Sequence, residues 1–259
     1  MTTPNIRTKK KVAKALRAYG RKMDDWTKPI DYTSKLSIKA ANELLTGFMF
    51  DQNDVAEYAW EKSEFLCESI GEPLWENIAN MELRRLRGLL RYGYGGYAYH
   101  RYYKKYAVKL KEAATHLLDE YRGDPRKIWN ATRNIDLVKK RLDNVPLIGP
   151  ALANFAILTL ARNYGLLGGK NTLKELNVKP DIHVTRVFRR SGLVSSPSTF
   201  KEIEEMARKL APDFPASLDP PAWEIGRIWC SPRSPSCDGD EDSAPCPITK
   251  VCPRVGIRV

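Results

Sequence analysis

Helical periodicity dominates this chain. Apolar side chains recur every three or four residues in one segment after another, and the alternation expected of strands is weak throughout. The pattern therefore predicts an all-α protein. Ser37 and Ser198 are the residue type that begins helices, and we place them as N-caps. The predicted helices lie within residues 37–50, 53–67, 76–91, 99–121, 135–142, 151–164, 182–190, 198–210 and 220–229.

A very short connection joins two of these helices. Only residues 144–149 separate the helix that ends near Leu142 from the next one, and Pro150 suits a first helical position, where its missing N–H costs nothing. The helix that follows is apolar on most sides, which predicts burial. A turn of this kind presents backbone N–H groups at a helix N-terminus, where they bind phosphate without reading a base sequence.

Cysteine placement is the strongest chemical signal. Cys67 stands alone in a helical segment, whereas Cys230, Cys237, Cys246 and Cys252 fall within the last thirty residues. No secretory signal and no membrane-length apolar run is visible, so we expect a soluble intracellular protein without disulfides. The four cysteines then indicate a metal or iron–sulfur site. Zinc sites usually contain more closely spaced cysteine pairs than these.

Charge adds a candidate partner. The chain has 259 residues, with 43 Lys and Arg against 31 Asp and Glu, a formal net charge of +12. Such a balance favours an anionic partner, most commonly nucleic acid. Residues 7–22 carry eight basic side chains and no acid, which predicts a helix with a basic face or a mobile basic arm. Residues 92–106 mix seven tyrosines with basic residues, a pattern of nucleic-acid surfaces and of ordinary helix packing alike.

Three motifs occur in an order that resembles one enzyme family. They are V-P-L-I-G-P-A-L-A-N at 145–154, P-D-I-H-V-T-R-V at 180–187, and a tail with the spacing C-x6-C-x8-C-x5-C. Together they resemble the endonuclease III branch of the helix-hairpin-helix DNA glycosylases, over roughly residues 38–259. The resemblance implies two lobes: a helical-barrel lobe (36–178) that carries the hairpin, and a second lobe (1–35 with 179–259) that carries the cysteine tail.

The resemblance also implies site residues. Asp181 is expected to be the catalytic carboxylate, although an aspartate there would also suit the N-cap of the next helix. The four tail cysteines are expected to hold a [4Fe-4S] cluster. Gln52 is expected to fill the space left by a flipped base. The remaining expected DNA contacts are Val145, Leu147, Gly149, Ala151 and Arg233.

Departures from the family pattern refine the function. Leu147 replaces the first hairpin glycine, an acidic insert (238–243) widens the middle cysteine spacing, and Ala151 aligns with the family's lysine nucleophile. Because alanine cannot form a Schiff base, the resemblance implies a monofunctional DNA glycosylase. The family's adenine-specific branch carries an extra glutamate, which would fall near Gly47.

Two alternatives remain. One is a non-catalytic DNA- or lesion-binding protein on the same scaffold. The other is a bifunctional glycosylase and lyase that uses Lys170, Lys174 or Lys179 as its nucleophile. The expected partner is double-stranded DNA with a damaged or mismatched base, bound by a monomer in the cytoplasm, at the nucleoid of a prokaryote, without a membrane.

Overall fold

A computed structural model describes residues 4–23, 36–51, 56–92, 102–165, 167, 172–239 and 243–256. All regular elements in these ranges are helices, so the prediction of an all-α protein is confirmed. None of the described helices is long and apolar enough to cross a bilayer. The α-helices are α1 (Ile6–Gly20), α2 (Ile38–Phe50), α3 (Ala56–Ile70), α4 (Leu74–Asn80), α5 (Leu83–Tyr92), α6 (Tyr103–Tyr121), α7 (Arg126–Asn130), α8 (Ile135–Asp143), α9 (Pro150–Asn163), α10 (Thr172–Glu175), α11 (Ile182–Arg190), α12 (Phe200–Leu210) and α13 (Asp219–Ile228).

Helix ends follow the local signals in most places. The side chain of Ser37 accepts a hydrogen bond from the Ala40 amide at 3.1 Å, so its predicted role as an N-cap is confirmed. The prediction for Ser198 is wrong by one residue, because Thr199 caps α12 and forms a capping box with Glu202. The single helix expected over 76–91 is two helices, since Met81 between α4 and α5 has an extended backbone.

The chain divides into two compact units. A central unit comprises residues 31–168, and a terminal unit combines residues 1–30 with 169–259. Both boundaries fall at residues outside the described ranges.

An aromatic core holds the central unit together. Phe48 of α2 makes edge-on contacts with Trp60 of α3, at 5.6 Å between ring centres, and with Phe155 of α9, at 5.8 Å. The Trp60 ring lies over Gly47, where an added Cβ would stand 2.2 Å from it. A side chain at position 47 would therefore displace the core. This packing leaves no room there for the glutamate of the adenine-specific branch.

The terminal unit has its own core. Val12 and Leu16 of α1 are completely buried, as are Val184 and Phe188 of α11. Helices α12 and α13 and a short 3₁₀ helix (Pro215–Leu218) complete this core, and Cys230, Cys246 and Ile248 of the tail belong to it. The basic segment near the N-terminus is therefore a packed helix with a basic face, one of the two predicted forms.

Candidate functional site

Asp181 occupies the N-cap of α11. Its Oδ1 atom accepts hydrogen bonds from the amides of His183 and Val184, both at 2.8 Å. The Oδ2 atom accepts no hydrogen bond from any residue within the described ranges. The side chain is half-buried. Asp181 therefore does cap the helix, and it uses only one of its two carboxylate oxygens to do so.

A second, buried aspartate holds the segment before Asp181. Asp219, the first residue of α13, is only 6% exposed and accepts a hydrogen bond from the backbone amide of Lys179. The Asp181 amide donates in turn to the Lys179 carbonyl at 2.7 Å. Sequence reasoning missed Asp219. The available signal was an acidic residue directly before two prolines at a predicted helix start.

Helices α11 and α13 approach closely at Gly226. A Cβ added there would lie 2.7 Å from the Cβ of His183 and 2.9 Å from its carbonyl oxygen. Only glycine fits this contact, because the nearest atoms include backbone that cannot turn aside. Gly226 therefore sets the spacing of the helix that carries Asp181, although it stands in none of the motifs singled out above.

Arginines of α11 connect the same helix to the first tail cysteine. Arg186 donates to the carbonyls of Gly226 and Cys230, both at 2.6 Å, and to Nδ1 of His183 at 3.0 Å. Arg190 donates to the Ser231 carbonyl at 2.5 Å and to the Cys230 Sγ at 3.6 Å. The N-terminal end of α11 thus presents Asp181, and its C-terminal end borders the cysteine tail.

The four tail cysteines line a single pocket. Its empty space is about 330 Å³, open mouth included, and its other walls are mainly Val187, Ile225, Trp229 and Ile248. Burial raises the pKa of the Cys246 thiol to about 11, and it also raises the pKa values of Cys237 and Cys252. No three of the described His, Cys, Asp and Glu side chains are grouped as ligands of one metal ion. The thiols thus surround a space without converging on a point.

Local bonds organise the tail around that pocket. The Cys246 amide donates to the Cys237 carbonyl at 3.0 Å, and the Cys252 amide donates to the Ile248 carbonyl at 2.9 Å. Asp238, at the start of the acidic insert, forms a two-pronged ion pair with Arg254. The middle of the insert, residues 240–242, lies outside the described ranges.

The hairpin between α8 and α9 has an unusual backbone. Leu147 adopts a φ of 73°, in the left-handed region that favours glycine, so leucine takes the conformation typical of the residue it replaces. Gly149 is the N-cap of α9 and Pro150 its first residue, as predicted. Val145 is 1% exposed and packs inward, which does not suit a side-chain contact with DNA. Ala151, half-buried, is in the first turn of α9.

The remaining residues predicted for the site lie in different parts of the chain. Arg233 is exposed in the tail between the first two cysteines, Lys174 is exposed on α10, and Lys179 is half-buried. Gln52 and Lys170 lie outside the described residues. The terminal unit thus contains Asp181, Arg233 and the four tail cysteines, while the hairpin residues belong to the central unit.

The described tyrosines of residues 92–106 differ in their exposure. Tyr106 is buried and stacks on Phe50, at 5.9 Å between ring centres. Tyr92 and Tyr102 are 58% and 48% exposed, and the Arg91 guanidinium lies 4.6 Å from the Tyr92 ring centre. Residues 93–101 of this stretch lie outside the described ranges.

Solved structures with the same fold are known. An endonuclease III in a non-covalent complex with DNA matches with a TM-score of 0.64 and 20% identity, and the match covers 95% of each chain. An endonuclease III trapped as a covalent intermediate with DNA matches with a TM-score of 0.61 and 20% identity, over 90% of this chain and 92% of that one. An 8-oxoguanine DNA glycosylase from Methanocaldococcus jannaschii matches with a TM-score of 0.56 and 17% identity, over 83% of this chain and 94% of that one.

Sequence comparison adds no nearer relative. No protein-family model matches the chain, and no curated protein matches it either. The agreement with the solved structures nonetheless extends over nearly the whole chain, and the described elements are helices throughout. The protein therefore has the fold of the helix-hairpin-helix DNA glycosylases of the endonuclease III type.

Proposed function

We propose that this protein is a monofunctional DNA glycosylase. It hydrolyses the N-glycosidic bond of a damaged or mismatched base in double-stranded DNA and leaves an abasic site, acting as a monomer at the nucleoid. The observation that carries the proposal is the Asp181 carboxylate, which begins α11 with one oxygen bonded to two amides and the other without a bond from a described residue. The fold shared with DNA glycosylases supports it.

The chemistry follows from that carboxylate. Breaking the bond between base and sugar builds positive charge on the sugar, and a nearby carboxylate stabilises that charge and orients or deprotonates the attacking water. Two amide hydrogen bonds to Oδ1 hold the group in place before the reaction. The base must first leave the helical stack, because its glycosidic bond is otherwise out of reach of the enzyme.

Ala151 argues for the monofunctional form. Strand cleavage by a glycosylase requires an amine that attacks C1′ of the sugar and forms a Schiff base. The resemblance aligns that amine with Ala151, whose methyl group cannot react. By contrast, one of the similar solved structures is an endonuclease III that was trapped as a covalent intermediate with DNA.

One observation keeps a bifunctional enzyme as the second candidate. Lys179 is half-buried and stands two residues before Asp181, on a segment held by the buried carboxylate of Asp219. A lysine in that position is suited to act as a displaced nucleophile.

Duplexes that each contain one altered or mismatched base test the proposal. We expect at least one base to be released, with the strand broken only after hot alkali, and no covalent complex after borohydride treatment. An Ala151→Lys variant should gain some borohydride trapping if position 151 faces the sugar. Trapping of the wild type that Lys179→Gln abolishes would establish the bifunctional enzyme instead. Tight binding to an abasic-site analogue, with no base released from any duplex, would establish the non-catalytic protein.

We further propose that Cys230, Cys237, Cys246 and Cys252 hold a [4Fe-4S] cluster. The donor set fits, because four thiols and no imidazole border the pocket. Zinc sites usually contain cysteine pairs separated by two to four residues, whereas the most closely spaced of these cysteines, Cys246 and Cys252, are separated by five. When bound, the cluster would crosslink residues 230–252 and stabilise the terminal unit. Binding would also release protons from the thiols of Cys237, Cys246 and Cys252, whose pKa values burial raises.

Metal analysis tests the cluster. Protein purified without air should be brown and contain about four irons per chain. A Cys246→Ala variant should lose this iron, whereas Cys67→Ala should retain it, because Cys67 is buried in the central unit against Thr46 and outside the pocket. One zinc per chain, in protein produced with ample iron, would contradict the assignment.

A further inference from the structure

The exposed face of α1 carries positive charge alone. Helix α1 contains no acidic residue, and its buried face, formed around Val12 and Leu16, packs into the core of the terminal unit. At 100° per residue, its exposed cations fall within one arc on the opposite face. We call this surface the α1 ridge, and it consists of Arg7, Lys10, Lys11, Lys14 and, just after the last turn, Arg21.

No carboxylate within the described ranges neutralises the ridge. Arg17, at the edge of the same face, is the exception on α1, because it forms a two-pronged ion pair with Asp213 at 2.9 and 2.6 Å. The five ridge residues form no ion pair with any described residue. Their charges therefore face solvent without a counter-charge from the protein.

The positive charges in the first turns of α1 oppose the stability of this helix. The N-terminus of a helix carries partial positive charge and favours acidic residues, yet Arg7, Lys9 and Lys10 occupy the first turns of α1 and its N-cap is the neutral Asn5. Lys9 is only 9% exposed, and burial together with Lys209 lowers its pKa. The positive charge of Lys209 on α12 thus adds to the cost of a charge at Lys9. These charges oppose folding, and an external anion would neutralise them.

We propose that the α1 ridge binds the phosphate backbone of double-stranded DNA, as a surface additional to the hairpin and to the region around Asp181. The inference rests on the proposed function in taking DNA as the substrate. At 1.5 Å per residue, Arg7 and Arg21 are about 21 Å apart along the helix, a length over which one DNA strand presents about six phosphates. A lipid surface fits less well, because a membrane-binding helix needs an exposed apolar face and that of α1 is buried in the core.

The salt dependence of DNA binding tests the ridge. We compare Lys10→Gln/Lys14→Gln with Arg84→Gln/Arg85→Gln, which removes two exposed charges from α5. Each lost phosphate contact reduces the slope of log K against log salt by about 0.9. The ridge variant should therefore bind an undamaged duplex with a slope shallower by about 1.8, and on the order of 30-fold more weakly at 0.15 M salt. The α5 variant should bind like the wild type.

Thermal unfolding separates a binding defect from a folding defect. Replacing Lys10 and Lys14 by glutamine removes charge repulsion and retains good helix formers, so the melting temperature should stay the same or rise. The proposal would be overturned by equal slopes for the wild type and the ridge variant. It would also be overturned if the α5 variant lost as much DNA affinity as the ridge variant. A loss of binding to phosphatidylserine vesicles with an unchanged DNA slope would also overturn it. A shallower slope in a protein that releases no base would uphold the ridge while contradicting the glycosylase.

Discussion

Replacing Asp181 by asparagine or by alanine separates its two roles. Its Oδ1 atom caps α11 through two amide hydrogen bonds of 2.8 Å, and we assign its negative charge to catalysis. Asparagine keeps an oxygen that accepts the amide bonds but loses the charge. Alanine loses both. Stability and base release should therefore respond differently to the two substitutions.

The expected sizes follow from the cap. Asparagine is about as good an N-cap as aspartate, so Asp181→Asn should cost only the attraction of the charge to the helix dipole, about 0.5 kcal/mol. Asp181→Ala also loses the cap, which is worth about 1 kcal/mol more. In a protein of this size, 1 kcal/mol corresponds to about 2–4 °C in melting temperature. Base release should fall at least about 100-fold in both variants, because neither retains the carboxylate.

Two measurements test this reasoning. Thermal unfolding should rank the wild type first, Asp181→Asn close behind and Asp181→Ala last. Single-turnover base release on a duplex that the wild type processes should be lost equally in both variants. Full activity in Asp181→Asn would reduce Asp181 to a helix cap. Equal melting temperatures for the two variants would show that the cap contributes nothing to folding.

Two further predictions concern backbone geometry. Because Leu147 has a φ of 73°, the Leu147→Gly variant should be more stable than Leu147→Ala by about 1 kcal/mol in urea unfolding. At Leu137, inside α8, the alanine variant should instead be more stable than the glycine variant. The same order of stability at both positions would show that the backbone at Leu147 is not strained. Gly226→Ala should destabilise the protein by about 1–3 kcal/mol and slow base release, because the added Cβ would meet the His183 backbone. Gly88→Ala, by contrast, should stabilise the protein slightly, because Gly88 lies inside α5 with open space around it. Similar effects at the two glycines would refute the close contact.

Much of the helical architecture could be predicted from short-range patterns. Ser37, the break after Asp143 and Pro150 all mark helix ends whose signals involve residues within one turn of each other. Where neighbouring residues offered two similar signals, as at Ser198 and Thr199, the pattern was right about the helix and wrong about its cap. Composition and charge indicated the kind of partner without locating the surface that would bind it.

The candidate site was only partly predictable. Asp181 could be found because it stands in a motif, and its alternative role as a cap was visible from its position before a helix. The support from Asp219 could not be found in that way, because its contact with Lys179 joins residues 40 positions apart. Gly226 is one glycine among 16, and only the approach of α11 shows why a side chain is excluded there.

The sequence by itself determined where most of the helices lie, the order of the hairpin, Asp181 and the four tail cysteines, and the positive charge of α1. These features depend on residue type and on neighbours a few positions away. Only the tertiary structure decided that four cysteines spread over 23 positions border one pocket, that Leu147 has a left-handed backbone, and that Trp60 fills the space at Gly47. Those outcomes arise from packing between distant segments, where the shape of one surface determines what its partner can accommodate.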